Sequence, residues 1–150
     1  MKINVALFGL GRIGTMHARN IKKHPRFKLK YVYDVNKKAS KKASKKFKVK
    51  NINNPFFAFK DKNIHVIFIA SSTASHIPFI ENSVKYKKAV FCEKPLDLDI
   101  RKVIRCRKKI KNLRPKIQIG FNRRYDPSHF SLKKSLLKGK IGKLEKIIIT

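Results

Sequence analysis

The feature that most constrains this chain is the turn Gly9-Leu10-Gly11-Arg12-Ile13-Gly14, set between an apolar run and a helical pattern. Residues 2–8 form a β-rich run that stops at the first glycine, and residues 13–23 read as a helix. Gly9 would permit the sharp turn and Gly11 would let backbone approach a pyrophosphate. Gly14 would let the helix pack close to the strand, with the helix N-terminus facing the phosphate charge. An acidic residue, Asp34, stands twenty positions after Gly14, at the end of the next strand-like run, residues 28–33. Strand, glycine turn, helix and acid together point to a dinucleotide-binding unit, with Gly9, Gly11, Arg12, Ile13, Gly14 and Asp34 as candidate cofactor contacts.

The rest of the chain keeps the same alternation. Asn36 is placed to cap a low-complexity helix over residues 37–50, where Ala39, Ala43 and Phe47 form a narrow apolar stripe and the lysines face water. Residues 65–70 are nearly all apolar, as in a parallel strand buried on both faces. A helix at 75–87, a strand at 89–92, a helix at 99–112 and a strand at 116–120 follow. The expected class is α/β, a Rossmann doubly wound parallel sheet. After Gly120 the rhythm changes to a helix at 127–138 and a strand at 144–150. A strand cannot satisfy its hydrogen bonds alone, so this tail reads as the first helix and strand of an incomplete α+β second domain.

At 150 residues the chain is long enough to bury a core without disulfide or metal support. Cys92 and Cys106 form no C-x-x-C pair, which fits a reduced, cytoplasmic setting. No run reaches the ~18 apolar residues of a membrane helix, so a soluble protein is expected. The formal net charge of +31, from 39 Lys+Arg against 8 Asp+Glu, would suit a polyanionic partner. Yet lysine is spread along the whole chain and no DNA- or RNA-binding motif accompanies it, so compositional drift is favoured over nucleic-acid binding.

Two positions carry further chemistry. Asp34 can accept from the adenosine ribose hydroxyls and would repel a 2′-phosphate, favouring NAD over NADP, although Lys37 and Lys38 follow closely enough to accompany such a phosphate. The strand at 89–92 runs into Glu93-Lys94-Pro95 at the carboxyl edge of the sheet, where open α/β folds bind ligands. Lys94 there could bind a substrate hydroxyl or move a proton, or be one more solvated lysine.

Taken together, Gly9 to Gly14, Asp34, Glu93-Lys94-Pro95-Leu96 and the segment from Gly120 to Pro127 (Gly-Phe-Asn-Arg-Arg-Tyr-Asp-Pro) resemble the Gfo/Idh/MocA oxidoreductase family. Within it the chain is most similar to the myo-inositol 2-dehydrogenases, over essentially its whole length. The resemblance implies NAD(P)-dependent oxidation of a secondary alcohol on a cyclic polyol or sugar, with hydride passing to the nicotinamide. It implies that Lys94 binds substrate and assists proton transfer, that Glu93 lies near the nicotinamide ribose and that the peptide before Pro95 is cis. Asn122 would border the nicotinamide and Arg123 would reach the substrate pocket. Ser71, Ser72, Thr73 and His76 would neighbour the cofactor, unless they are a capping loop with a structural histidine. His17 is expected to pack or cap, and His24, His65 and His129 lack ligand spacing.

On this resemblance residues 1–121 are the NAD(P)-binding Rossmann domain. Residues 122–150 begin a truncated substrate and oligomerisation domain, and full-length relatives are expected to be homo-oligomers. The family's main acid-base pair, an aspartate and a histidine, falls beyond residue 150. The chain is therefore expected to be the N-terminal part of a polyol dehydrogenase, encoded as a fragment or by a split or decayed gene. The alternatives are a non-catalytic nucleotide-binding remnant and a basic nucleic-acid-binding protein.

Overall fold

The computed structural model describes residues 1–148. Six parallel strands form one sheet in the order β3-β2-β1-β4-β5-β6: β1 (Ile3–Phe8), β2 (Phe27–Tyr33), β3 (Lys50–Asn51), β4 (Val66–Ile69), β5 (Ala89–Cys92) and β6 (Ile117–Ile119). The order reverses between β1 and β4, which makes their carboxyl ends the switch point of a doubly wound sheet.

The two-residue period of the strands divides the core. Val5 and Leu7 of β1 face one side, where they pack with Ala18 and Ile21 of α1 (Arg12–Lys23) and Ala43 and Phe47 of α2 (Lys37–Phe47). Ala6 and Phe8 face the other. There they meet Ala58 and Phe59 of α3 (Phe56–Lys60), Ile80 and Val84 of α4 (His76–Lys85), and Cys106 and Ile110 of α5 (Ile100–Ile110). Helices on both faces explain why β1 and β4 are apolar nearly throughout.

Local chemistry sets the helix starts. The Asn36 side chain accepts from the Ala39 N–H at 3.1 Å, and the Asp99 carboxylate accepts from the Arg101 N–H at 2.8 Å. The lysine-rich helix ends earlier than its pattern suggests. Lys48 turns left-handed at φ 50°, and Lys50 and Asn51 leave the helix to pair with Tyr31 and Val32. The sequence pattern signals neither that two-residue edge strand nor the five-residue α3.

Residues 1–120 and 121–150 are separate compact units. In the second, a helical turn at Asn122–Tyr125 precedes α6 (Pro127–Leu137), whose start is capped by Asp126 accepting from the His129 N–H at 3.1 Å. The strand expected over residues 144–150 is not formed at 144–148, because no neighbouring strand among the described residues pairs with it. Ile149 and Thr150 lie outside the described residues.

Candidate functional site

The glycine turn is built by backbone contact. Gly9 has φ +90°, and a Cβ there would lie 2.4 Å from the Ala70 carbonyl and the Ser71 nitrogen at the end of β4. A Cβ on Gly14 would lie 1.9 Å from the Gly9 oxygen, so α1 can sit this close to the turn only without one. Gly11 differs: a Cβ there would meet no protein atom within 4 Å. It precedes Arg12 at the start of α1, where no side chain caps the helix and no acid occupies the first turn. Free helical N–H groups facing open space fit the pyrophosphate of a dinucleotide.

Asp34, just past β2, is fastened to this turn. Its Oδ2 accepts from the Leu10 N–H at 2.6 Å and its Oδ1 from the Asn36 N–H at 2.8 Å. Asp34 lines a cavity of about 200 Å³ together with Lys37, Ser40 and Asn53. An anchored acceptor here suits the ribose of an adenosine half. Lys37 and Lys38 are exposed at the start of α2.

Across the switch point, β4 leads into Ser71, Ser72 and Thr73. Ser71 Oγ and Ser75 Oγ lie 2.6 Å apart, and Ser75 Oγ donates to the Ser72 carbonyl at 2.7 Å. His76 begins α4 and is only 2 % exposed. Its Nδ1 lies 2.8 Å from the Pro95 carbonyl and its Nε2 3.0 Å from the Ser71 carbonyl. With a main-chain carbonyl beside each ring nitrogen, one of which receives the N–H of a neutral imidazole, His76 ties this loop to the segment after β5.

Glu93 follows β5, where its N–H bonds the Ile69 carbonyl at 2.9 Å. Its Oε1 lies 2.7 Å from His17 Nε2, and its Oε2 accepts from the Lys94 N–H at 3.3 Å. His17 stands edge-on to Phe68 and Phe91, with ring centroids 5.7 and 5.2 Å away. From sequence His17 is expected to pack or cap; its side chain does pack, and it also bonds a candidate site residue. The Lys94–Pro95 peptide is cis and Lys94 is exposed. Burial, with Glu93 adding to it, pushes the Cys92 thiol up to about 12, so a thiolate nucleophile is not available there.

Asn122 and Arg123 belong to the second unit, where Arg123 Nη1 lies 3.4 Å from Asp126 Oδ2. Among the described residues no group of three or more His, Cys, Asp or Glu is placed to hold a metal, and no helix is long and apolar enough to cross a membrane.

One carboxyl edge of the sheet thus carries an open glycine turn, an anchored acid on one side of the switch point, and Glu93 and Lys94 on the other. Known proteins are similar to this chain in sequence and fold. The inositol 2-dehydrogenase of Rhizobium meliloti (strain 1021) is 33 % identical over 100 % of this chain and 45 % of its own length. The myo-inositol 2-dehydrogenase of Thermotoga maritima is 35 % identical over 99 % of the chain and 45 % of its own length. The crystal structure of scyllo-inositol dehydrogenase from Lactobacillus casei, with bound NAD(H) and scyllo-inositol, superposes with a TM-score of 0.88 at 32 % identity, covering 95 % of this chain and 43 % of that one. The chain therefore spans somewhat under half the length of these relatives. The model of the Gfo/Idh/MocA family, described as an oxidoreductase family with an NAD-binding Rossmann fold, matches residues 3–121, and the chain belongs to that family.

Proposed function

We propose that the chain is the cofactor-binding part of an NAD-dependent dehydrogenase that oxidises a secondary alcohol of inositol or a related cyclic polyol. The observation that carries this reading is the Asp34 carboxylate, bonded at 2.6 Å to the Leu10 N–H of the open glycine turn. It holds an acceptor for ribose hydroxyls where a 2′-phosphate would meet negative charge, so NAD is preferred to NADP. Bound NAD supplies the hydride acceptor. The N–H groups at the start of α1, with Gly11, Arg12 and Ile13, bind the pyrophosphate, and Ser71, Ser72 and Thr73 border the cofactor at the end of β4. Glu93 orients the nicotinamide half. Lys94, exposed at the sheet edge, binds a substrate hydroxyl and assists removal of its proton.

Residues 122–150 are proposed as the start of the substrate and oligomerisation domain, with Asn122 beside the nicotinamide and Arg123 toward the polyol. The relatives' names, inositol and scyllo-inositol dehydrogenases, support the substrate class. The buried, unpaired Cys92 and Cys106 are in keeping with a reducing, cytosolic setting.

Calorimetry with NADH and NADPH, followed by NADH formation from myo-inositol and scyllo-inositol, tests the reading. Tighter binding of NADH is expected. Folded protein that binds neither nucleotide overturns it.

A further inference from the structure

We infer that His17 is a positioning residue which, together with the bare backbone of Gly120, holds the Glu93 carboxylate in place for the nicotinamide half of the cofactor. The inference rests on the cofactor reading above and deepens it.

Glu93 lies beyond β5 and Asp34 beyond β2, on opposite sides of the β1–β4 switch point. A dinucleotide laid across that point with its adenosine ribose at Asp34 extends its other half toward Glu93. A glutamate at an open sheet edge would ordinarily sample several rotamers, and ordering it on binding would weaken affinity. This one is already ordered. His17, three residues past Gly14 on the helix that begins at the glycine turn, reaches Oε1 at 2.7 Å; an ionised carboxylate can only accept, so Nε2 donates. The side chains of His17 and Glu93 are 12 % and 19 % exposed, and the imidazole packs edge-on against Phe68 and Phe91. Those two rings are themselves stacked, 4.5 Å apart and 18° from parallel.

The second constraint is independent of the first. A Cβ on Gly120 would lie 3.1 Å from Phe91 Cζ and 3.2 Å from both Glu93 Cδ and Oε1. Gly120 is held there by its N–H, which donates to the Cys92 carbonyl at 2.8 Å. The carboxylate therefore sits in a slot with a hydrogen-bond donor on one wall and a glycine on another. Any side chain at position 120 would press on the atoms that His17 fixes. The helix that binds the pyrophosphate thus also orients the acceptor for the far end of the same ligand.

The test uses the whole 150-residue chain, with calorimetric affinities for NADH and for ADP, which retains only the adenosine and pyrophosphate part. His17→Phe keeps an aromatic ring against the stacked Phe68 and Phe91 and removes the donor. It is expected to weaken NADH about tenfold, the loss of one charge-assisted hydrogen bond, and to leave ADP affinity unchanged. His17→Gln, which retains a donor, should recover part of the NADH affinity. Gly120→Ala, which disturbs the carboxylate from the other wall, should reproduce the NADH-selective loss. If His17→Phe does not fold, the NADH-to-ADP affinity ratios of His17→Gln and Gly120→Ala decide. Equal losses for NADH and ADP, or no loss for either, overturn the inference and leave His17 a packing residue. Wild-type protein that binds neither ligand overturns the cofactor reading itself, and the inference with it.

Discussion

The Leu10 amide donates to the Asp34 carboxylate at 2.6 Å, joining the glycine turn after β1 to the end of β2. Leu10 is buried, so the bond satisfies an amide that water cannot reach, and it also aims the carboxylate at the edge where a ribose would lie. Replacing Asp34 by Ala should therefore have two separable effects. Stability should fall by about 1–3 kcal/mol, the cost of an unpaired buried N–H, read by urea denaturation. NADH affinity should fall at least about tenfold through loss of a charge-assisted bond, while NADPH loses less because the repulsion of its 2′-phosphate goes too. Calorimetry with both nucleotides reads that change in preference.

Gly11 and Gly14 stand three residues apart and should respond to alanine in opposite ways. At Gly14 the new methyl would lie 1.9 Å from the Gly9 oxygen, which is backbone and cannot step aside, so a loss of at least about 2 kcal/mol is expected. At Gly11, φ is −65° and the space is open, so the fold should be unaffected to within about 0.5 kcal/mol. The methyl would instead occupy the approach to the helix N-terminus. Gly11→Ala should melt like the wild type yet lose most NADH affinity, and Gly14→Ala should melt well below it.

His76 presents a different kind of loss. Its ring nitrogens lie against the Ser71 and Pro95 carbonyls in a place that is only 2 % exposed, and a neutral imidazole donates to one of them, so removing it leaves a buried acceptor unpaired. His76→Phe should destabilise the fold by about 2 kcal/mol or more, measured by chemical denaturation. His76→Asn, which can still donate to one carbonyl, should lose less. Because both carbonyls flank the expected nicotinamide side, NADH binding by the folded fraction should weaken more than ADP binding does.

Much of this site was legible in sequence because it is local. A glycine at φ +90° directly after a β-rich run, followed by a helix and an acid twenty residues on, is a pattern confined to one strand-turn-helix-strand unit. The same holds for the Asn36 cap and for the alternation that buries β1 and β4. The misses share a cause as well. Lys48 ends α2 in a left-handed conformation that no lysine announces, and β3 is two residues long, too short for any periodicity. The pair His17 and Glu93 spans 76 positions, so each could be singled out but not their meeting. For His76 the sequence leaves open a cofactor neighbour or a structural histidine, because only the fold brings the Pro95 carbonyl to its Nδ1, nineteen residues away in the chain.

At the other end of the strands, Asp61 precedes β4 and gathers a second set of bonds. Its Oδ2 lies 2.7 Å from Lys30 Nζ and 2.8 Å from the Tyr31 hydroxyl, and its Oδ1 accepts from the Asn63 N–H at 2.8 Å. Burial opposes ionisation, but these donors outweigh it and hold the carboxyl at about 2 against an ordinary 3.8. A carboxyl with a depressed folded-state pKa contributes stability that is fully present above about pH 4 and is lost as pH falls toward about 2. The difference corresponds to about 2 kcal/mol. Asp61→Asn should therefore be less stable than the wild type by about that amount at pH 6, and the gap should close as pH falls from about 4 to about 2. Asp99 and Asp126 are also held below the ordinary carboxyl value, but both proteins carry them. Urea denaturation of the two proteins side by side at pH 6, 4 and 2.5 isolates the Asp61 contribution; a gap that stays constant across that range would show that the bonds at Asp61 do not depend on its charge.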